Sequence, residues 1–249
     1  MYVGVDGCPD GWIAVSYDEQ GYHESGSYAH FEDLYRDYED AAMILVDIPI
    51  GLREDSGVKR PCDAAARQVL APRRHASVFA PPIRPAVHAN SYEEAKSIQE
   101  ERTEGSLGVQ SWAIAGGIAQ LDTFLRETEP GATDTVREAH PEVAFWALGG
   151  GTPTAYSKTG RPAAAFFERV DVLEGVDPDV LARLREAGTD LAAEVGLDDL
   201  VDAFALALTA SPLTGELRIL PREQPDDDPG DPEELPMEMV YALPRDGRR

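Results

Sequence analysis

Short apolar runs bounded by Gly, Pro and Asp open this chain, and helical periodicities follow them. Residues 2–7 read as a strand that ends in Asp6, with Gly7 and Gly11 marking a tight turn around Cys8-Pro9-Asp10. Residues 12–17 and 22–29 read as second and third strands. Their short connections predict an antiparallel meander. Phe31, Leu34, Tyr35 and Tyr38 have helical spacing and predict a helix over 31–39. The run 42–50 then reads as a strand buried on both faces, with Asp47 at its carboxyl end and Pro49 stopping further pairing. A helical crossover lets that strand lie parallel to the first, so Asp6 and Asp47 are expected at the same sheet edge. Two readings stay open for Asp47: a turn opener, or a ligand-facing carboxylate where open α/β sheets bind their ligands.

Beyond residue 52 the pattern is mostly helical. Helices are expected over 62–70, 92–102 and 109–127, the last with Ile114, Ile118, Leu121 and Leu125 on one stripe and a Gly116-Gly117 pair suited to close packing or a kink. The Pro-rich stretch 71–90 reads as a loop over the site. Residues 133–142 read as a strand with Val136, Glu138 and His140 on one face, after which Glu142 opens a helix towards Gly149. Lys158 falls in a polar connector, and 162–195 alternates short amphipathic helices with breaks. Residues 197–210 are apolar nearly all round beyond Asp202 and predict a buried helix. The acidic, Pro-rich stretch 221–236 reads as a solvated loop, and 238–243 is placed to pair with 217–220. The expected whole is one α/β domain over 1–249, with a helical insertion around 53–130 and a helical segment over 142–196.

Composition changes this picture in two ways. No window approaches the ~18 uninterrupted apolar residues of a membrane span. The opening goes straight into a strand pattern, so no secretory leader is expected, and two cysteines make no disulfide framework. A cytoplasmic, membrane-free protein of unknown oligomeric state is the expectation. The net charge of −24, with 46 acidic residues against 19 Arg and three Lys, resembles the surfaces of proteins from salt-loving archaea. Against that background, residues 51–90 hold seven basic and three acidic side chains. This basic island suits a phosphate-facing surface, or a set of arginines paired with neighbouring acids.

The candidate chemistry lies in carboxylates at the ends of core elements. Asp6, Asp47, Asp199 and Asp202 come from three distant segments. Asp199 and Asp202 share a helix face, and capping accounts for Asp198 or Asp199 better than for Asp202. Carboxylates that converge away from water need a cation between them, and an all-oxygen set favours Mg²⁺ or Mn²⁺. His140, bracketed by Glu138 and Glu142, is either a satisfied structural histidine or part of the site.

These motifs together resemble a known family. Val3-Gly4-Val5-Asp6-Gly7 with Gly11-Trp12, Asp47-Ile48-Pro49-Ile50-Gly51-Leu52, Arg60-x-Cys62-Asp63 with Arg67, Ser77-Val78-Phe79, Glu138-x-His140-Pro141-Glu142 and Asp198-Asp199-x-x-Asp202-Ala203 look like domain of unknown function family 429, predicted ribonuclease H-like nucleases. The resemblance implies a ribonuclease H-like fold: three antiparallel strands, two more parallel to the first, and helices on both faces. The Asp-x-x-Asp-Ala helix is also similar to the last catalytic helix of RuvC-type Holliday-junction resolvases. Asp6, Asp47, Asp199 and Asp202 are carried over as metal ligands, and Glu138, His140 and Glu142 as a site motif of open role.

The first functional expectation is a metal-dependent nuclease or other phosphodiester hydrolase, with Arg60, Arg67 and Lys158 holding phosphate of a nucleic acid or related substrate. A non-catalytic module that binds nucleotide or a partner protein is the alternative. A phosphoryl transferase of the actin and sugar-kinase kind, whose first strand also ends in Asp-Gly, ranks last because it needs two such domains.

Overall fold

The computed structural model describes residues 1–8, 10–191 and 195–245. Pro9 of the expected turn and residues 192–194 of the expected helical segment lie outside the described residues. The chain opens with β1 (Tyr2–Cys8), β2 (Gly11–Asp18), β3 (Gly21–Tyr28), α1 (Phe31–Asp37) and β4 (Met43–Val46). Helices α2 (Pro61–Val69), α3 (Arg84–Val87), α4 (Tyr92–Arg102), α5 (Val109–Ala113) and α6 (Ala115–Thr123) lead to β5 (Val136–Glu138). Then come α7 (Pro141–Leu148), α8 (Pro162–Glu174), α9 (Val180–Asp190), α10 (Leu197–Ala210), β6 (Thr214–Leu220) and β7 (Met239–Pro244).

The first five strands form one sheet in the order β3-β2-β1-β4-β5. β1 is antiparallel to β2 and parallel to β4, and β4 is parallel to β5. β6 and β7 pair separately, and Val240 bridges Ala139 so that this hairpin abuts the β5 edge.

Strand alternation sends side chains into two cores. Val3, Val5, Ile44, Val46 and Val136 meet Phe31 and Leu34 of α1 and Ile118 and Leu121 of α6 on one face. Leu45, Ile13 and Val15 meet α7, α8, α9 and α10 on the other. α10 is buried from Leu200 to Ala210, as its nearly all-round apolar sequence requires. It lies so close to β1 that a Cβ at Gly4 would overlap the Ala203 carbonyl oxygen and the Ala207 nitrogen.

Several expectations need correction. The strand expected over 42–50 spans only Met43–Val46, with the Asp47 N–H the last to donate to β1, because Pro49 carries no N–H and the chain turns away. The strand expected over 133–142 shrinks to Val136–Glu138, preceded by a 3₁₀ turn over Pro130–Asp134. The helix expected over 109–127 breaks at Ile114 and closes in a wide turn over Phe124–Thr128. Its Gly117 serves close packing, since a Cβ there would lie 3.1 Å from Ile48 Cδ1 and 3.3 Å from the Trp12 ring. The stretch 221–236 is not simply a solvated loop. Asp231 is buried, and its Oδ2 accepts from the Leu52 N–H at 2.8 Å and from Arg84 Nη2 at 2.6 Å.

Candidate metal centre

Register alone brings two of the carboxylates together. Val5 is level with Val46, and the Asp47 N–H donates to the Val5 carbonyl at 2.9 Å, so Asp6 and Asp47 emerge from adjacent strands. Alternation places them on the face of Gly4 and Leu45, the face that α10 covers. The close seat of α10 on Gly4 then hangs Asp202, one residue before Ala203, over the same strand ends. One carboxylate oxygen from each of Asp6, Asp47 and Asp202 lies within 4.8 Å of the others. Asp6 is 8% exposed and Asp202 4%.

Few donors answer these charges. Asp6 Oδ1 accepts from the Gly7 N–H at 2.7 Å, and Lys158 Nζ donates to Asp202 Oδ2. Asp202 Oδ1 is buried and has no hydrogen-bond partner among the described residues. The protonation equilibria reflect that shortage. Burial, then Asp47, Asp202 and Asp199, push Asp6 well above the usual carboxylate range. Burial also raises Asp47, against the pull of His140 and Lys158. Asp202 is pushed up to about 7, burial outweighing Lys158. For Lys158, burial works downward, but Asp202, Asp6 and Asp47 outweigh it and hold the ammonium charged.

Asp199 sits nearly one turn earlier on α10, half-buried and outside the trio. It lines a cavity of about 710 Å³ that Asp6 and Asp47 also reach, on another side of the carboxylates. Burial and Asp198 raise its carboxyl.

The remaining predicted site residues divide differently. Glu138 is level with Val46 and so points to the face opposite Asp47. Its oxygens accept from Arg60 Nη1 at 2.8 Å, Arg60 Nη2 at 2.7 Å and the Ile50 N–H at 2.6 Å. Arg60 is 2% exposed and also binds Asp63 at 3.0 and 2.6 Å and the Ile50 carbonyl at 2.9 Å. Every donor of that guanidinium is committed, so Arg60 is a buried brace and has no N–H left for phosphate. The close approach of Cys62, Asp63 and Glu138 is likewise organised around the Arg60 cation. Arg67 donates to the Val78 carbonyl at 2.6 Å and faces a different cavity from the carboxylates.

Glu142 is buried between Arg169 and the Thr154 hydroxyl, which donates at 2.9 Å. Neither partner was anticipated, since each lies more than ten residues away with no motif linking them. His140 caps α7: its Nδ1 accepts the Glu142 N–H at 3.1 Å, and Nε2 lies 3.3 Å from the Ser77 carbonyl. That pattern places the proton on Nε2. His140, Glu142, Lys158, Asp47 and Asp202 all line one cavity of about 610 Å³.

The sheet order, the parallel β1-β4-β5 half and the helices on both faces define a ribonuclease H-like α/β domain with helical insertions. A family model described as a protein of unknown function (DUF429) matches residues 4–226, and the chain belongs to that family. No curated protein and no solved structure matches it.

Proposed function

We propose that the protein is a divalent-metal-dependent phosphodiester hydrolase, a nuclease built on the ribonuclease H-like sheet. The observation that carries this reading is the trio Asp6, Asp47 and Asp202, which converge with one ammonium to oppose three carboxylates. The donors fit Mg²⁺ or Mn²⁺, being all oxygen. A buried polar atom without a partner costs about 1–3 kcal/mol, and Asp202 Oδ1 is such an atom. Asp6, Asp47 and Asp202 would hold the ion, with Asp199 the nearest further acid on the same helix.

A bound divalent ion lowers the pKa of its water and stabilises charge on phosphoryl oxygens. The chain supplies the rest. Lys158 reaches the cavity from a loop and offers a charge that can pass from Asp202 to a phosphate. His140 caps the start of α7 through its Nδ1 and stands beside Asp47 in the same cavity. The buried walls around Asp6 and Asp202 exclude water and strengthen each electrostatic contact.

The reading includes a salt-rich cytoplasm as the working environment. The acid-rich, Lys-poor composition supports the salt, and the two unpaired thiols, Cys8 and Cys62, suit a reducing compartment. Asp6→Asn and Asp202→Asn are expected to abolish Mn²⁺-dependent cleavage while circular dichroism shows a folded chain. Wild-type protein that leaves single-stranded, duplex and branched substrates intact in molar KCl with Mn²⁺ would refute the proposal. The Lys158 ammonium on Asp202 favours a second reading, a non-catalytic module that binds nucleotide or a partner protein. Absence of Mn²⁺ binding by calorimetry would choose it.

A further inference from the structure

Resting on the proposed phosphodiester chemistry, we infer that the substrate is a single-stranded nucleic acid, gripped by Arg73, Arg74 and Phe79 beside the carboxylates. All three line the cavity of about 610 Å³ that ends on Asp47 and Asp202. A neighbouring cavity of about 800 Å³ shares Val78 and Phe79 as a common wall and adds Lys59 and Arg67. With Lys158, and apart from the committed Arg60, five cations line the two cavities in a chain of net charge −24. Among the described residues, Glu104 is the one acid lining the second cavity.

The state of the guanidiniums separates this track from the rest of the basic island. Arg53 pairs with Asp228, Arg60 with Asp63 and Glu138, and Arg84 with Asp122 and Asp231. Arg73 and Arg74 have no carboxylate partner among the described residues. Arg73 donates to the Pro153 carbonyl at 3.4 Å, and Arg74 Nε is buried without an acceptor. Two adjacent guanidiniums without carboxylate partners thus line the cavity that holds Asp47 and Asp202. Their paired N–H donors match the oxygens of a phosphate.

Phe79 supplies the second element of recognition. Phe79 is 39% exposed, while Val78 beside it is 1% exposed and anchors the segment in the core. An aromatic face between two cavities can stack one base regardless of its identity. Size selects the strand state. Cavities of a few hundred Å³ hold ligands of nucleotide size, and Asp202 at the floor is 4% exposed. A strand with unstacked bases can thread to it, whereas a duplex keeps its phosphates on the outside of a helix too broad to enter.

The test is fluorescence anisotropy on the full chain with Mn²⁺, using labelled phosphorothioate oligothymidylate and oligouridylate and the matching duplex. Both single strands are expected to bind at least about tenfold more tightly than the duplex, the scale of one lost base stack. R73Q/R74Q and, separately, Phe79→Ala are expected to weaken single-strand binding about tenfold. Their melting temperatures and calorimetric Mn²⁺ affinities should match wild type, which excludes misfolding. Duplex binding as tight as single-strand binding, or an R73Q/R74Q variant that binds oligonucleotides like wild type, overturns the inference. Mn²⁺ binding without oligonucleotide binding sinks this inference and leaves the metal reading standing. Arginine-dependent oligonucleotide binding without Mn²⁺ affinity does the reverse.

Discussion

Asp47 and Glu138 stand one strand apart, yet alternation sends them to opposite faces of the sheet, and that separates a candidate ligand from a brace. Glu138 meets Arg60, whose donors it shares with Asp63, and all three are buried. Arg60 stays paired with Asp63 when Glu138 becomes Gln, but an amide NH2 then faces an Arg60 N–H and leaves a buried donor unsatisfied, so Glu138→Gln should lose about 1–3 kcal/mol, read from the urea midpoint. Asp6 has the opposite expectation. Its burial beside Asp47 and Asp202 opposes ionisation, and an Asn would keep the Gly7 N–H bond through its carbonyl oxygen. Asp6→Asn should therefore raise the melting temperature of metal-free protein at pH 8 while abolishing Mn²⁺ binding. Lys158→Gln should tighten Mn²⁺ severalfold in a calorimetric titration, because the ammonium competes for Asp202. Asp6, Asp47 and Asp202 were legible because each carboxylate sits where an apolar run ends or where a cap has no use for it. The role of Arg60 was not, since its partner Glu138 lies 78 residues away and a guanidinium bound for phosphate has the same local sequence.

At the scale of elements, one glycine sets the distance on which the trio depends. β1 and α10 touch at Gly4 with no room for a methyl group. Gly4→Ala must lift α10 or bend β1, at about 1–3 kcal/mol for an overpacked core contact. The same displacement carries Asp202 away from Asp6 and Asp47. The variant should lose Mn²⁺ affinity by more than its thermal destabilisation explains, a comparison that calorimetry and melting curves make directly. The strong periodicities were legible: α4 and α10 run where the spacing put them, and the meander and the parallel fourth strand follow from short and helical connections. What failed lay at the ends. Pro49 cut one strand short, the Pro130–Asp134 turn and the start of α7 claimed the two ends of another, and Ile114 interrupted a helix whose Gly117 must press against Ile48 and Trp12. The first two failures are local, a missing N–H and competing turn and helix starts, and the third is a tertiary demand that overrode a local pattern.

Over the whole molecule, an excess of negative charge coexists with a buried cluster of the same sign, and salt acts on the two differently. Exposed repulsion is screened in molar KCl, where the Debye length is ~3 Å, but carboxylates shielded from solvent are not. Asp6, Asp47, Asp199 and Asp202 all hold protons more tightly in the folded chain than an ordinary carboxyl does. Between the ordinary aspartate range and about 7, where Asp202 titrates, the folded state thus binds more protons than the unfolded one. Stability of the metal-free protein must fall as pH rises through that window, since the slope follows the proton difference between the two states. A divalent ion held by the same oxygens replaces those protons, so the rise in melting temperature that Mn²⁺ gives should grow across the same range. Thermal melts at stepped pH in molar KCl, with and without Mn²⁺, measure both trends. Asp202→Asn should flatten the metal-free slope, because the surface carboxylates it leaves in place are already screened. A slope unchanged in that variant would mean that the pH dependence does not run through Asp202 and belongs to other groups, such as Glu138, which burial also pushes up to about 7.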